Sequence, residues 1–160
     1  MATRLALKLA DYVVTEAGFA TDLGAEKFFH IKCRAARLKP ATVVIVATAK
    51  AITYHGGFTE AGGLGNLAKH IENILHFGRD PVVCISHFPD DQAGDPPKIT
   101  KFCSNLGVEA VVSEHFDKGS EGGVALAKGV LHAIGKRSRR TFRFLYLLEA
   151  SLEKKIKTLA

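Results

Sequence analysis

The chain has 160 residues, 47% of them hydrophobic and 24% charged, a composition that supports one globular domain with a proper core and argues against a disordered polymer. Its 22 Lys and Arg against 16 Asp and Glu leave a formal charge of +6, which favours anionic ligands such as nucleotides, polycarboxylates or nucleic acid without choosing among them. Cys33, Cys84 and Cys103 are an odd number with no paired spacing, which argues against a disulfide framework and fits a reducing, cytoplasmic setting.

The opening run, residues 1–10, is short, basic and apolar, but Asp11 and the segment after it interrupt it. It reads as a first helix packing on a sheet instead of a targeting segment. No apolar run approaches the ~20 residues of a membrane span. Tyr12–Thr15 reads as the first strand, and Asp22–Arg34 as a helix of irregular periodicity. Thr42–Thr48 is apolar on both faces, as a strand covered on either side requires. Leu67, Ile71, Ile74 and Leu75 then share one helical face. Pro81–Ser86 is the third strand, followed by a helix with Ile99, Phe102, Cys103 and Leu106 on one face and Gly107 closing it. Glu109–Ser113 is the fourth strand, and Val124, Ala127, Leu131 and Ile134 mark a helix closed by Gly135. Phe142–Leu147 is the fifth strand, and Leu152, Ile156 and Leu159 line a last amphipathic helix.

Strands that alternate with helices predict an α/β fold: an open, mostly parallel sheet of about five strands with helices on both faces. Ligand sites in such sheets lie at the carboxyl ends of the strands. That edge is expected to carry Glu16–Gly24, Thr48–Gly57, Ser86–Asp91 and Glu114–Gly123. Structure that begins almost at the first residue and ends in a helix without a stop signal is expected of a piece of something longer.

Several constellations fall on this edge. Glu16, with Gly18 behind it, is an acid at a predicted strand end, the arrangement by which nucleotide-hydrolysing folds present a carboxylate. A phosphate loop of the form GxxxxGK[ST] does not accompany it; Gly135-Lys136-Arg137 lacks both the hydroxyl and the upstream glycine. His55, Gly56 and Gly57, with Gly62, Gly63 and Gly65 after them, form a glycine loop whose amides would suit an anion, or a plain connection. Phe88-Pro89 and Phe116 each follow a strand end, where two rings can sandwich a flat heteroaromatic ligand or simply cap the sheet. His55, His87 and His115 match no metal spacing, and no metal site is assigned. Lys136, Arg137, Arg139, Arg140 and Arg143 form a basic run that reads as a solvated turn, and nucleic-acid binding is not expected because the neighbouring aromatics do not interleave with it.

The blocks Leu5–Phe19 (LALKLADYVVTEAGF), Asp22–Phe29 (DLGAEKFF), Ile31–Arg34 (IKCR), Val46–Thr48 (VAT), His55–Gly57 (HGG), Lys69–Asn73 (KHIEN) and Gly122-Gly123 resemble the middle of formate–tetrahydrofolate ligase. The resemblance spans nearly the whole chain. It implies a P-loop-NTPase-like α/β domain over residues 1–160, part of a longer ligase that forms homo-oligomers. It also implies ATP-dependent activation of formate to formyl phosphate, with ATP carried as its Mg2+ complex, followed by attack of N10 of tetrahydrofolate. By resemblance the folate pocket takes Phe88, Pro89 and Phe116; Glu16, Lys50 and His55 are catalytic; Gly18, Thr48, Gly56 and Gly57 face the phosphates. The family's P-loop lies upstream of the matched region, so the chain alone is expected to be inactive, with the remainder of the ligase chain as its partner. Four departures fall at ligand-facing positions: Ala20-Thr21 for Gly-Ala, which puts a φ > 0 turn in doubt; Lys50 for Arg; Ser86-His87 for an Asn-containing pair; and Phe116 for Trp. They keep open a non-catalytic relative that binds a ligand or partner through the same surface.

Overall fold

The computed structural model describes residues 2–136 and 140–160. The chain folds as two compact units, Met1–Pro40 with Arg143–Ala160, and Ala41–Phe142.

The second unit is built on a parallel sheet of three strands, β1 (Val43–Ala47), β2 (Pro81–Ser86) and β3 (Glu109–Ser113), in the order β1-β2-β3. Val43 pairs with Pro81 and Val82 with Glu109, so the three carboxyl ends finish level. The central strand is buried along its whole length. Proline is tolerated at its first position because a strand's opening residue can do without a ladder donor. Ile71, Ile74, Phe77, Val82, Val83, Ile85, Ile99 and Cys103 form the core of this unit. β1 pairs on one side only among the described residues, and Val44 and Val46 are exposed on it.

Each strand is followed by helix, β1 and β3 almost at once and β2 after the loop that carries Phe88 to Asp91. With α1 (Ala2–Leu9) and the short α2 (Arg34–Ala36) lying in the first unit, α3 (Ala49–Tyr54) and α4 (Gly63–His76) follow β1, α5 (Asp95–Asn105) follows β2, and α6 (His115–Gly122) and α7 (Val124–Gly135) follow β3. α4 and α5 pack on each other and on the sheet, and α7 lies against β3, where a Cβ on Gly129 would come 2.9 Å from Val111 Cγ2. Gly107, at φ 71°, closes α5 as its spacing predicts, with the amide of Val108 donating to Cys103 O. All three cysteines are buried free thiols, Cys84 and Cys103 in this core.

The first unit also holds π-helical segments Ala20–Ala25 and Phe28–Cys33 and the terminal α8 (Leu152–Leu159). Neither α1 nor α8 has a buried residue, and among the described residues of their own unit there is no sheet of the kind expected beneath the first helix. The irregular periodicity of Asp22–Arg34 has a direct cause, since π-turns carry the chain round at a different pitch from an α-helix.

Two of the five expected strands are absent. Tyr12–Thr15 is irregular, with Val14 93% exposed; no strand exists in its unit among the described residues to supply a ladder partner. Glu16–Gly24 is therefore not a strand-end loop. Phe142–Leu147 is irregular as well. Its aromatic alternation reflects side-chain packing: Phe144 and Tyr146 lie over the Arg34 guanidinium, at 3.9 and 5.1 Å, and His30 stacks on Tyr146 at 4.2 Å. Arg34 also donates to the Tyr146 carbonyl, so this backbone group is satisfied by a side chain in place of a β-ladder. With three strands, the sheet by itself does not carry a P-loop-NTPase likeness. Arg137 and Arg139 of the basic run lie outside the described residues.

Candidate functional site

The carboxyl edge of the sheet gathers the residues with chemistry. β1 ends at Ala47 and Thr48 follows, its extended backbone and side-chain oxygen capping α3: the Ala51 amide donates to Thr48 Oγ1 at 3.0 Å. That cap sets Lys50 in the first turn, exposed, with Nζ 2.7 Å from Asp90 Oδ2. Asp90 stands in the loop after β2, just beyond Phe88 and Pro89. The hydrogen bond from Lys50 draws the Asp90 carboxyl below its usual range, and the Asp90 partner raises the Lys50 ammonium above its own. Lys50 is therefore a fixed positive charge at neutral pH.

The loop bearing Phe88 is held by Asp91. The Phe88 amide donates to Asp91 Oδ2 at 2.8 Å, and the Asp91 amide returns to Phe88 O at 3.0 Å. Phe116 sits in the first turn of α6, 65% exposed. The two rings meet with centroids 4.8 Å apart at an interplanar angle of 53°. Lys50 Nζ lies 5.1 Å from the Phe88 ring centre. The expected pair of neighbouring rings is thus present, but the rings touch each other. Pro89 is exposed beside them.

Next to this cluster is an open cleft of about 390 Å³, lined by Lys50, Thr53, Tyr54, Asp90, Asp91 and Asp95 among others. The aspartates at 90 and 95 and Tyr54 were not singled out by sequence reasoning. The signal available for Asp90 is its position directly after Phe88-Pro89, opposite a lone lysine at the neighbouring strand end.

His55 closes the far end of α3 from Lys50, exposed, with its ring edge-on to Tyr54 at 5.3 Å. Gly56 and Gly57 adopt φ 102° and 79°, which explains glycine at both. Their amides donate to Thr53 O and Ile52 O at 3.2 and 2.9 Å, and the Gly63 amide donates to Gly57 O at 2.9 Å. In this arrangement the loop's N–H groups are engaged in its own turns. Gly63 packs so tightly on α3 that a Cβ there would overlap the Ile52 carbonyl oxygen.

Glu16 and Gly18 belong to the first unit. Gly18, at φ 81°, packs back to back with Gly24, where an added Cβ would overlap the Gly18 carbonyl. Ala20 adopts φ 60°, so the left-handed turn in doubt from the sequence exists with a non-glycine residue in it.

Of the three histidines expected at strand ends, His55 lies instead at the end of α3, while His115 Nδ1 lies 2.9 Å from the buried Ser113 hydroxyl and the His87 amide donates to Ser113 O at 3.0 Å. Among the described residues no group of three or more His, Cys, Asp or Glu could hold a metal ion. No helix of the described residues is long and apolar enough to cross a membrane.

Known proteins are similar to this sequence. A family model described as formate–tetrahydrofolate ligase matches residues 1–160. A formate–tetrahydrofolate ligase of Ruegeria pomeroyi is 44% identical over 171 aligned residues, covering 100% of this chain and 30% of the relative. The chain thus spans about 30% of the length of the curated relative it matches.

Proposed function

The chain belongs to the formate–tetrahydrofolate ligase family, and on that premise we propose that it contributes the folate pocket and part of the nucleotide and acyl-phosphate site of an ATP-dependent ligase. The proposed reaction activates formate with ATP to formyl phosphate. N10 of tetrahydrofolate then attacks the formyl carbon and expels phosphate, giving 10-formyltetrahydrofolate, with ADP from the first step. The observation that carries the reading is the Phe88–Phe116 ring pair beside the Lys50 ammonium at one sheet edge.

In this reading Phe88 and Phe116 grip the flat pterin, with Pro89 stiffening the loop. A ring between them needs about 3.5 Å on each side, roughly 7 Å in all, so the pair at 4.8 Å must part to admit it. Lys50, held protonated, offsets the charge of the transferring phosphate. Thr48 Oγ1, already an acceptor for the cap, keeps its own proton to donate to an oxyanion. Glu16, Gly18, His55, Gly56 and Gly57 take their roles from the resemblance alone. Among the described residues no group of three or more His, Cys, Asp or Glu could hold a metal ion, so in this reading magnesium enters with the phosphates of ATP. By the resemblance the phosphate loop lies upstream, in the part of the ligase that this chain does not span.

Calorimetric titration with tetrahydrofolate tests the reading. Saturable binding is expected, weakened about tenfold in Phe88→Ala and in Phe116→Ala, the equivalent of about 1.4 kcal/mol each. A folded sample that binds no tetrahydrofolate would sink it. The second reading, a non-catalytic relative using the same rim, is favoured by the neutralisation of Lys50 by Asp90. ATP-dependent formylation by the isolated chain would exclude that alternative.

A further inference from the structure

Two different demands fall on one side chain at the rim. The Lys50 ammonium is 2.7 Å from Asp90 Oδ2 and 5.1 Å from the centre of the Phe88 ring, while Phe88 itself leans on Phe116. Asp90 follows Phe88 by two residues in a turn that Asp91 fixes through the Phe88 amide. An oxyanion that captures Lys50 competes with Asp90 for its charge, and a flat ligand that stacks on Phe88 has to displace a neighbour of that ring.

Resting on the reading of this rim as a folate and acyl-phosphate site, we propose that Asp90 is a positioning residue that holds the unliganded site closed. An oxyanion drawing Lys50 away from Asp90 frees Phe88 for a flat aromatic ligand, so that the two ligands bind with positive coupling.

The physical basis is competition for one cation. Asp90 offers a single negative charge already tethered nearby, whereas a phosphate offers more charge and three acceptor oxygens to an ammonium with three donors. The adjoining cleft, which Lys50 lines, gives the side chain room to swing. Lysine suits this role, because its ammonium is a point charge on a flexible stem and not a planar fork locked to one partner. Lys50 and Asp90 are 58% and 68% exposed, so the latch is weak. The expected coupling factor is about two- to fivefold.

The test measures tetrahydrofolate affinity with and without saturating inorganic phosphate, with ionic strength held constant by sodium chloride. In the unaltered chain phosphate should lower the Kd about two- to fivefold. Asp90→Asn should bind tetrahydrofolate more tightly without phosphate and lose the phosphate response. An unaltered chain whose Kd ignores phosphate, or an Asp90→Asn variant that keeps the full response, overturns the latch while leaving the folate pocket standing. Absence of tetrahydrofolate binding would remove the pocket, and the latch is then judged on ring-proton NMR shifts. Phe88 and Phe116 signals that move on phosphate titration, and are already displaced in Asp90→Asn, uphold it; signals that stay fixed refute it.

Discussion

Ala20 holds φ 60° without being glycine, and a left-handed backbone costs a residue with a Cβ about 1–2 kcal/mol. Ala20→Gly relieves that strain but gives the unfolded chain more freedom, worth about 0.5–1 kcal/mol in the opposite direction. A net gain of roughly 0.5–1 kcal/mol is expected, read as a rise in the urea midpoint at unchanged slope. His30 is the other residue whose environment has a measurable consequence. Burial first, and the nearby Arg34 charge second, lower its pKa from 6.5 to about 4. The unfolded chain then binds a proton that the folded one does not between those values, so stability falls as pH drops from about 6.5 to about 4. The slope contributed is up to about 1.4 kcal/mol per pH unit, and His30→Phe should flatten it in urea titrations across that window. Burial also pushes the Cys33 and Cys103 thiols up to about 11 and raises Cys84. All three should resist a thiol reagent at pH 8 until denaturant exposes them.

At the scale of elements, glycine contacts fix how helices meet. Gly63→Ala would drive a Cβ into the Ile52 carbonyl oxygen; α4 or α3 must shift, and a loss of about 1–3 kcal/mol is expected in the same denaturation assay. β1, β2, β3 and the helices α4, α5 and α7 were legible in the sequence because their patterns answer to burial in one core: Val82 to Ile85 apolar in succession, Ile71 and Ile74 on one face, Gly107 at a turn that needs it; the short α3 and α6 were not, and lie in the stretches Thr48–Gly57 and Glu114–Gly123 that read only as the sheet's carboxyl edge. Tyr12–Thr15 and Phe142–Leu147 carry equally strand-like residues, yet a strand is defined by its neighbour, and local composition says nothing about whether one exists. Phe144 and Tyr146 alternate to cover Arg34, a residue so distant along the chain that no spacing rule reports the contact. Within the site, the meeting of Phe88 and Phe116 followed from topology. The Lys50–Asp90 pair did not, because it depends on which rotamers a charge neighbour selects.

For the molecule as a whole, the formal charge of +6 and the lysine at the sheet edge make anion affinity the property most sensitive to salt; raising ionic strength should weaken phosphate binding steeply. The isolated chain, incubated with ATP, formate and tetrahydrofolate, is expected to yield no 10-formyltetrahydrofolate by product chromatography, and adding the rest of a family-length ligase should restore turnover. Among the described residues β1 leaves one side of its ladder open beside two valines, Val44 and Val46, 38% and 64% exposed. A row of spare donors and acceptors with a greasy flank is a template for another copy to zip onto, and concentrated stocks should drift toward fibrillar precipitate that Val46→Lys suppresses.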